Sequence, residues 1–201
     1  MTGLIDKGGI IIYPLLFFSL ISLTIILERF FVYIRISKQI SDKLMEDIKM
    51  CLKNNKIKEA KALLNVINGP IAKILKKGIE NYKSGPDEME KEMEEVELEE
   101  FPLLEKRLGV LHFIASISPT LGLLGTVTGM IKTFEVLSYN GDPQQLAGGI
   151  SEALITTAVG LVISLPSLAA YHYFINKIEF MTLHTEKRQI ELINFIKKVG
   201  F

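Results

Sequence analysis

GGISEALITTA, residues 148–158, runs without a break into VGLVISLPSLAAYHYF, residues 159–174, and no formal charge follows Glu152 until Lys177. Everything in the first block except Glu152 is small, apolar or hydroxylated. A helix through this stretch is long enough to cross a bilayer, since about 20 residues rising about 1.5 Å each span its hydrocarbon core. Two more runs of the same kind occur upstream. GGIIIYPLLFFSLISLTIIL, residues 8–27, lies between Lys7 and Glu28, and LGVLHFIASISPTLGLLGTVTGMI, residues 108–131, lies between Arg107 and Lys132. Three such runs in 201 residues describe a polytopic membrane protein better than a soluble domain with buried helices. The first is too long for the apolar core of a signal peptide, and ERFFVYIR follows it in place of a small-residue cleavage site. The expected fold class is all-α, with three transmembrane helices and long helices extending into the cytoplasm.

Charge sets the expected direction. Lys and Arg total 23, as do Asp and Glu, so the net charge is zero and no basic patch points to nucleic acid. The 28–107 region holds 16 of the Lys and Arg residues and the tail from 177 holds five, against Lys7 alone before the first span and Lys132 alone in the 132–152 connection. Loops rich in Lys and Arg stay cytoplasmic. The expected organisation is therefore a periplasmic N-terminus and transmembrane helix 1 over 1–27, a cytoplasmic helical region over 28–107 and transmembrane helix 2 over 108–131. A periplasmic connection follows over 132–142, then transmembrane helix 3 over 143–176 and a cytoplasmic C-terminal helix over 177–201. The sole cysteine, Cys51, excludes an internal disulfide, and the three histidines are too scattered for a metal centre.

Within 28–107, residues 28–50 read as a continuation of the first span, 56–68 as an amphipathic helix stopped by Asn68-Gly69-Pro70, and 70–82 as a third helix. Pro86 begins a long helix whose stretch EMEKEMEEVELEEF, 88–101, is dominated by glutamate and reads as a solvated face, with partner docking as the alternative. That helix is expected to run through 103–107 into the second span, kinked at Pro102.

The second span is soft. Gly125 and Gly129 form a GxxxG pair, and Ser118, Gly122 and Thr126 recur at i, i+4 spacing, a composition that lets helices approach closely. Its glycines lack the GxxxxGK[ST] pattern of a phosphate loop. In the third span, Asp142-Pro143 is a helix start, which places Glu152 about ten residues in, or roughly 15 Å along the axis. Thr156 lies one turn on, with Thr157 on the flank and Gly160 beyond. Two placements of Glu152 are open: the outer head-group interface, or the bundle interior, because an acid facing lipid costs about 2.5–3.5 kcal/mol or more. No basic residue lies in the spans, so a buried Glu152 either takes up a proton or holds a cation. His112 and His172 read as packing residues with proton relay as the alternative, Tyr13, Tyr139, Tyr171 and Tyr173 as interfacial anchors, Pro166 as a kink, and Glu28-Arg29 as a locally paired or snorkelling group. No nucleophile–base pair or nucleotide motif suggests an enzyme, and no cofactor is expected.

IYPLLFFSLISLTIILERFF (12–31), LLEKRLGVLHFIASISPTLGLLGTVTGMIKTF (103–134) and GISEALITTAVGLVISLPSLAAYHYF (149–174) together resemble the ExbB/TolQ/MotA proton-channel family, most closely its ExbB/TolQ branch. The cytoplasmic loop matches in layout only. The resemblance implies a stator subunit of an energy-transducing complex in the bacterial inner membrane. Five copies would enclose a pore holding an ExbD/TolR-like single-span partner, with a TonB/TolA-like protein receiving the force. It places the pore glutamate at Glu152 and pore hydroxyls at Thr126 and Thr157, with Thr156 an additional hydroxyl beside the latter. Gly122, Gly125, Gly129 and Gly160 are then the helix-packing residues. H+ or Na+ as the ion, a flagellar-type MotA-like stator, and a passive scaffold are the alternatives.

Overall fold

A computed structural model describes residues 9–36, 40–140 and 143–199. Lys7 and Asp142, which bound the first span and cap the third helix in the sequence reading, lie outside the described residues. Among those described the chain is helical with no strand: α1 (Ile12–Ile36), α2 (Asp42–Lys53), α3 (Ile57–Leu64), α4 (Pro70–Glu80), a 3-10 turn (Tyr82–Ser84), α5 (Pro86–Glu105), α6 (Leu108–Asn140) and α7 (Pro143–Val199). Three helices are long and apolar enough to cross a membrane, and they include α1, α6 and α7. The chain divides into two compact units: Met1–Glu28 with Arg107–Phe174, and Arg29–Lys106 with Ile175–Phe201.

The first unit is built from the three apolar helices. Leu15 of α1, Ile114 of α6 and Ile163 of α7 form its buried apolar cluster, against which Ile11, Phe18, Ile21, Leu121 and Val159 pack. Ser22 of α1 and Ser167 of α7 share a buried 2.6 Å hydrogen bond, and Ser167 also donates to the Ile163 carbonyl. The two hydroxyls thus satisfy each other across the contact between α1 and α7. Long apolar side chains such as Phe17, Leu20, Val127, Phe134, Val162 and Leu165 point outward, as lipid-facing or helix-facing surface requires. His112 stacks on Tyr171 at a ring-centroid distance of 4.7 Å. Glu28 pairs with Arg107. The third helix does not stop at Pro166: α7 passes through it unbroken.

The second unit has the packing of a water-soluble helical domain. Ser41 caps α2, its hydroxyl accepting from the Leu44 amide at 3.3 Å, and α2 turns Met45, Ile48 and Leu52 inward. α4 starts at Pro70 behind Gly69 and buries Ile71, Ile74, Leu75, Gly78 and Ile79. α5 answers with Met89, Met93, Phe101 and Leu104. Gly78 lets Met93 in, since a Cβ there would collide with the Met93 sulfur. The acidic face of α5 is partly engaged. Glu100 meets Lys73 at 2.7 Å, Glu92 meets Lys77 at 2.9 Å and Glu97 accepts from Gln189 at 2.6 Å.

Two local expectations are corrected. α1 is described to Ile36 only, and a separate helix begins at Asp42, so the first span does not continue to residue 50. α5 does not run into α6 either. Lys106 is extended (ψ 133) and Arg107 has φ 68, which ends the helix three residues after Pro102 and restarts it at Leu108. The carbonyls freed at this end receive donors from α1. Arg29, 4 % exposed, donates to Leu103 O at 3.3 Å and Leu104 O at 3.1 Å, and the Tyr33 hydroxyl donates to Leu104 O at 2.9 Å. A cation at a helix C-terminus matches both its unpaired acceptors and its dipole. Arg29 is thus a buried cap and not a snorkelling side chain.

Candidate functional site

The site is assembled where α6 and α7 run antiparallel inside the first unit. One stripe of α6, Ser118, Gly122, Gly125, Gly129 and Thr133, faces Gly160, Thr157, Thr156, Ala153 and Gly149 of α7 in turn. A Cβ on Gly160 would lie 2.5 Å from the Ser118 carbonyl oxygen and 3.2 Å from Gly122 Cα. One on Gly122 would lie 3.0 Å from Thr157 Cα, and one on Gly129 would lie 3.0 Å from Ala153 Cβ. At Gly125 it would collide with the Thr156 methyl, and at Gly149 with the Thr133 hydroxyl. Backbone therefore meets backbone at Gly122 and Gly160, and small side chains fill the notches at Gly125, Gly129 and Gly149, a close contact that only small residues permit.

Hydroxyls lock the register. Thr157 donates across the interface to the Gly122 carbonyl at 2.8 Å, and Ser164 donates to the Ala115 carbonyl at 2.5 Å. Thr156, 1 % exposed, donates back to the Glu152 carbonyl at 3.1 Å while its methyl fills the notch at Gly125. The two threonines thus have different duties: Thr157 ties α7 to α6, and Thr156 packs and supports the turn that carries Glu152.

Glu152 is half-buried, and its carboxylate reaches Gly9, in the turn that leads into α1. A Cβ on Gly9 would lie 2.9 Å from Glu152 Oε1. Among the described residues of α7, Glu152 is the sole acid before Glu179 and no Lys or Arg precedes Lys177. Thr126 is not brought to this group. It sits one residue round from Gly125, bonds the Leu123 carbonyl of its own helix at 2.7 Å, and lines an outer recess of about 530 Å³ with Val127, Met130, Ile131 and Phe134. The i, i+4 row of Ser118, Gly122 and Thr126 drifts off the contact; the row that stays in register steps from Gly122 to Gly125.

Sequence reading identified Gly122, Gly125, Gly129 and Gly160 for helix packing, and the structure sets them in the α6–α7 contact; it read Thr156 and Thr157 as pore hydroxyls, and both stand at this same contact. It named Gly149 as suited to close packing, and it passed over Gly9, Ser22, Thr133, Ser164 and Ser167. A readable signal existed for Thr133, which extends the small-residue stripe of α6 by one turn. Gly9 carried none, because its partner is 143 positions away. Among the described residues no cluster of His, Cys, Asp or Glu is arranged to hold a metal ion.

Comparison with known proteins agrees with this architecture. Residues 66–187 match the MotA/TolQ/ExbB proton channel family model. A putative biopolymer transport protein ExbB-like 3 of Synechocystis sp. is 30% identical over 192 residues, covering 92% of this chain and 91% of that protein. A putative biopolymer transport protein ExbB homolog of Methanothermobacter thermautotrophicus is 29% identical over 195 residues, 97% of this chain and 68% of that protein. The Tol-Pal system protein TolQ of Haemophilus influenzae is 44% identical over a shorter stretch of 75 residues, 36% of this chain and 33% of that protein. With three apolar helices, an α6–α7 contact built on glycine and threonine, and these relatives, the chain is a multi-pass membrane protein that belongs to the MotA/TolQ/ExbB proton channel family, in its ExbB/TolQ branch.

Proposed function

We propose that the chain is the proton-conducting stator subunit of an energy-transducing complex in the inner membrane. In this reading a ring of copies, five by the family resemblance, encloses an ExbD/TolR-like single-span partner. Ion flow moves that partner, which passes force to a TonB/TolA-like protein. The N-terminus and the 132–142 connection are periplasmic, and 28–107 and the C-terminal part of α7 are cytoplasmic, as the distribution of Lys and Arg favours.

The observation that carries the proposal is the placement of Glu152. It is the lone charged residue of α7 before Lys177, half-buried beside an interface of hydroxyls and glycines. An ionisable side chain within a membrane-spanning run faces a bundle interior or a watery path and marks a route for ions. One elementary charge crossing 100 mV releases about 2.3 kcal/mol, enough that a few charges per step can shift one helix bundle against another. Thr157 and Thr156 keep the turn bearing Glu152 in register with α6. Thr126, on the outer face of α6, is assigned to the lining presented to a neighbouring copy or to the partner.

The test is Glu152→Gln, which keeps the shape and removes the acid. Proton flux into liposomes holding the chain with its single-span partner should disappear while the complex still elutes at the wild-type size. Flux at the wild-type rate would overturn the assignment.

A further inference from the structure

Glutamate has three side-chain torsions between backbone and carboxylate, so its helix fixes where Glu152 starts and not where its charge ends. The end point is set by α1. Gly9 lies in the turn that opens this helix, with φ +63, its carbonyl accepting from the Ile12 amide at 3.4 Å. The space where a side chain would stand is taken by Glu152: Oε1 lies 2.9 Å, and the carboxyl carbon 4.0 Å, from the position a Cβ would occupy. Among the described residues, no other heavy atom beyond its chain neighbours is recorded within 4 Å of that position. Both facts point to the same requirement. The turn needs a residue at ease with positive φ, and the carboxylate needs one without a Cβ.

The contact is selective in what it would disturb. The groups that block a Cβ at Gly122 and Gly160 are backbone atoms, so a methyl there would force helices apart. At Gly9 the obstacle is the tip of a flexible side chain. A methyl at this position displaces the carboxylate and leaves the helix contacts in place. Gly85 supplies the matching control: it too has positive φ (+101), with nothing among the described residues within 4 Å of its Cβ position.

The geometry points to Gly9 as a positioning residue that seats the Glu152 carboxylate against the turn leading into α1. This rests on the reading of Glu152 as the ion-carrying group and adds to it the element that aims the group. Ion passage thereby depends on α1 as well as on α6 and α7.

Flux in the reconstituted complex of chain and single-span partner tests it. Gly9→Ala should lower flux about tenfold, the scale on which a misplaced reacting group loses rate, with the complex still assembling, whereas Gly85→Ala should leave flux within about twofold of wild type. Glu152→Asp is shorter and does not reach the new methyl. Flux in the Gly9→Ala/Glu152→Asp double variant should therefore exceed the product of the two single effects by at least about threefold. A strictly multiplicative double variant, or Gly9→Ala with wild-type flux, overturns the inference. An independent measurement covers a Gly9→Ala chain that fails to assemble. With Cys51→Ser as background, Gly9→Cys and Glu152→Cys should be bridged within one chain by a short bis-methanethiosulfonate, read as an intact-mass increment. Absence of the bridge also overturns it. Loss of flux in Glu152→Gln together with an unaltered Gly9→Ala would reject this inference alone; retained flux in Glu152→Gln would reject the underlying reading of Glu152.

Discussion

α6 and α7 touch through what they lack, and α4 and α5 touch through what they carry. In the first unit Gly160 sits over the Ser118 carbonyl and Gly122 over the Thr157 backbone, and the bonds that cross are hydroxyl to carbonyl. In the second, Ile74, Leu75 and Ile79 fill the space left by Met89 and Met93, with lysine–glutamate pairs at the edge. The difference follows from the solvent. Lipid tails are as apolar as leucine, so burying leucine between membrane helices gains little, and close packing with hydrogen bonds must hold them. In water each buried apolar side chain contributes directly, and bulky residues do the work.

Substitutions that reverse these roles should break the contrast. Ile74→Ala, at a fully buried side chain of the second unit, should destabilise the chain by about 2–5 kcal/mol, read from denaturant unfolding followed by circular dichroism. Gly160→Val should cost about 1–3 kcal/mol and release α7 from α6, seen as loss of assembly. Gly109→Val, with nothing near its Cβ position, should leave assembly intact. If both valines are equally tolerated, backbone contact is not what holds the membrane helices.

Smaller effects sharpen the comparison. Thr157→Val keeps the shape and removes the bond to the Gly122 carbonyl. It should cost about 0.6 kcal/mol and not more than about 1.7, the range for such bonds between membrane helices. In the second unit, Asp42 caps a network in which Arg188 also reaches the Ile40 carbonyl and Glu191. The Arg188 guanidinium holds the Asp42 carboxyl below its ordinary value. Its contribution is therefore present above the unfolded-state value, about 3.9, and is lost as pH falls through the lower folded value. Asp42→Asn should narrow the gap in unfolding midpoint to wild type as pH drops below about 4, with the largest gap near neutrality. A gap unchanged by pH would mean that the ion pair is idle, as exposed pairs often are.

Much of the fold was legible in one dimension. The three spans are charge-free runs of bilayer length, and α4 and α5 begin at Gly-Pro steps that can be read by eye. The break at Lys106–Arg107 was not legible, because Pro102 lies inside the helix and nothing in 103–107 marks a stop. What holds the helix end is tertiary: Arg29 and Tyr33, more than seventy positions upstream, donate to the freed carbonyls. The stripe on α6 was half legible. Its glycines are plain, yet whether Thr126 or Gly125 continues the row turns on the small mismatch between four residues and a helical turn, which the facing helix resolves.

The order of apolar and charged residues by itself determined that this chain crosses a membrane three times, that α6 and α7 bear the small residues for close contact, and that Glu152 is the acid to watch, because solvation energies are local and add along a helix. Tertiary structure alone decided that Thr157 bonds to α6 while Thr126 turns away, that Arg29 is a buried cap, and that the Glu152 carboxylate rests on Gly9. Those outcomes depend on which atoms arrive from distant helices, and a side chain's torsions are set by the space those atoms leave.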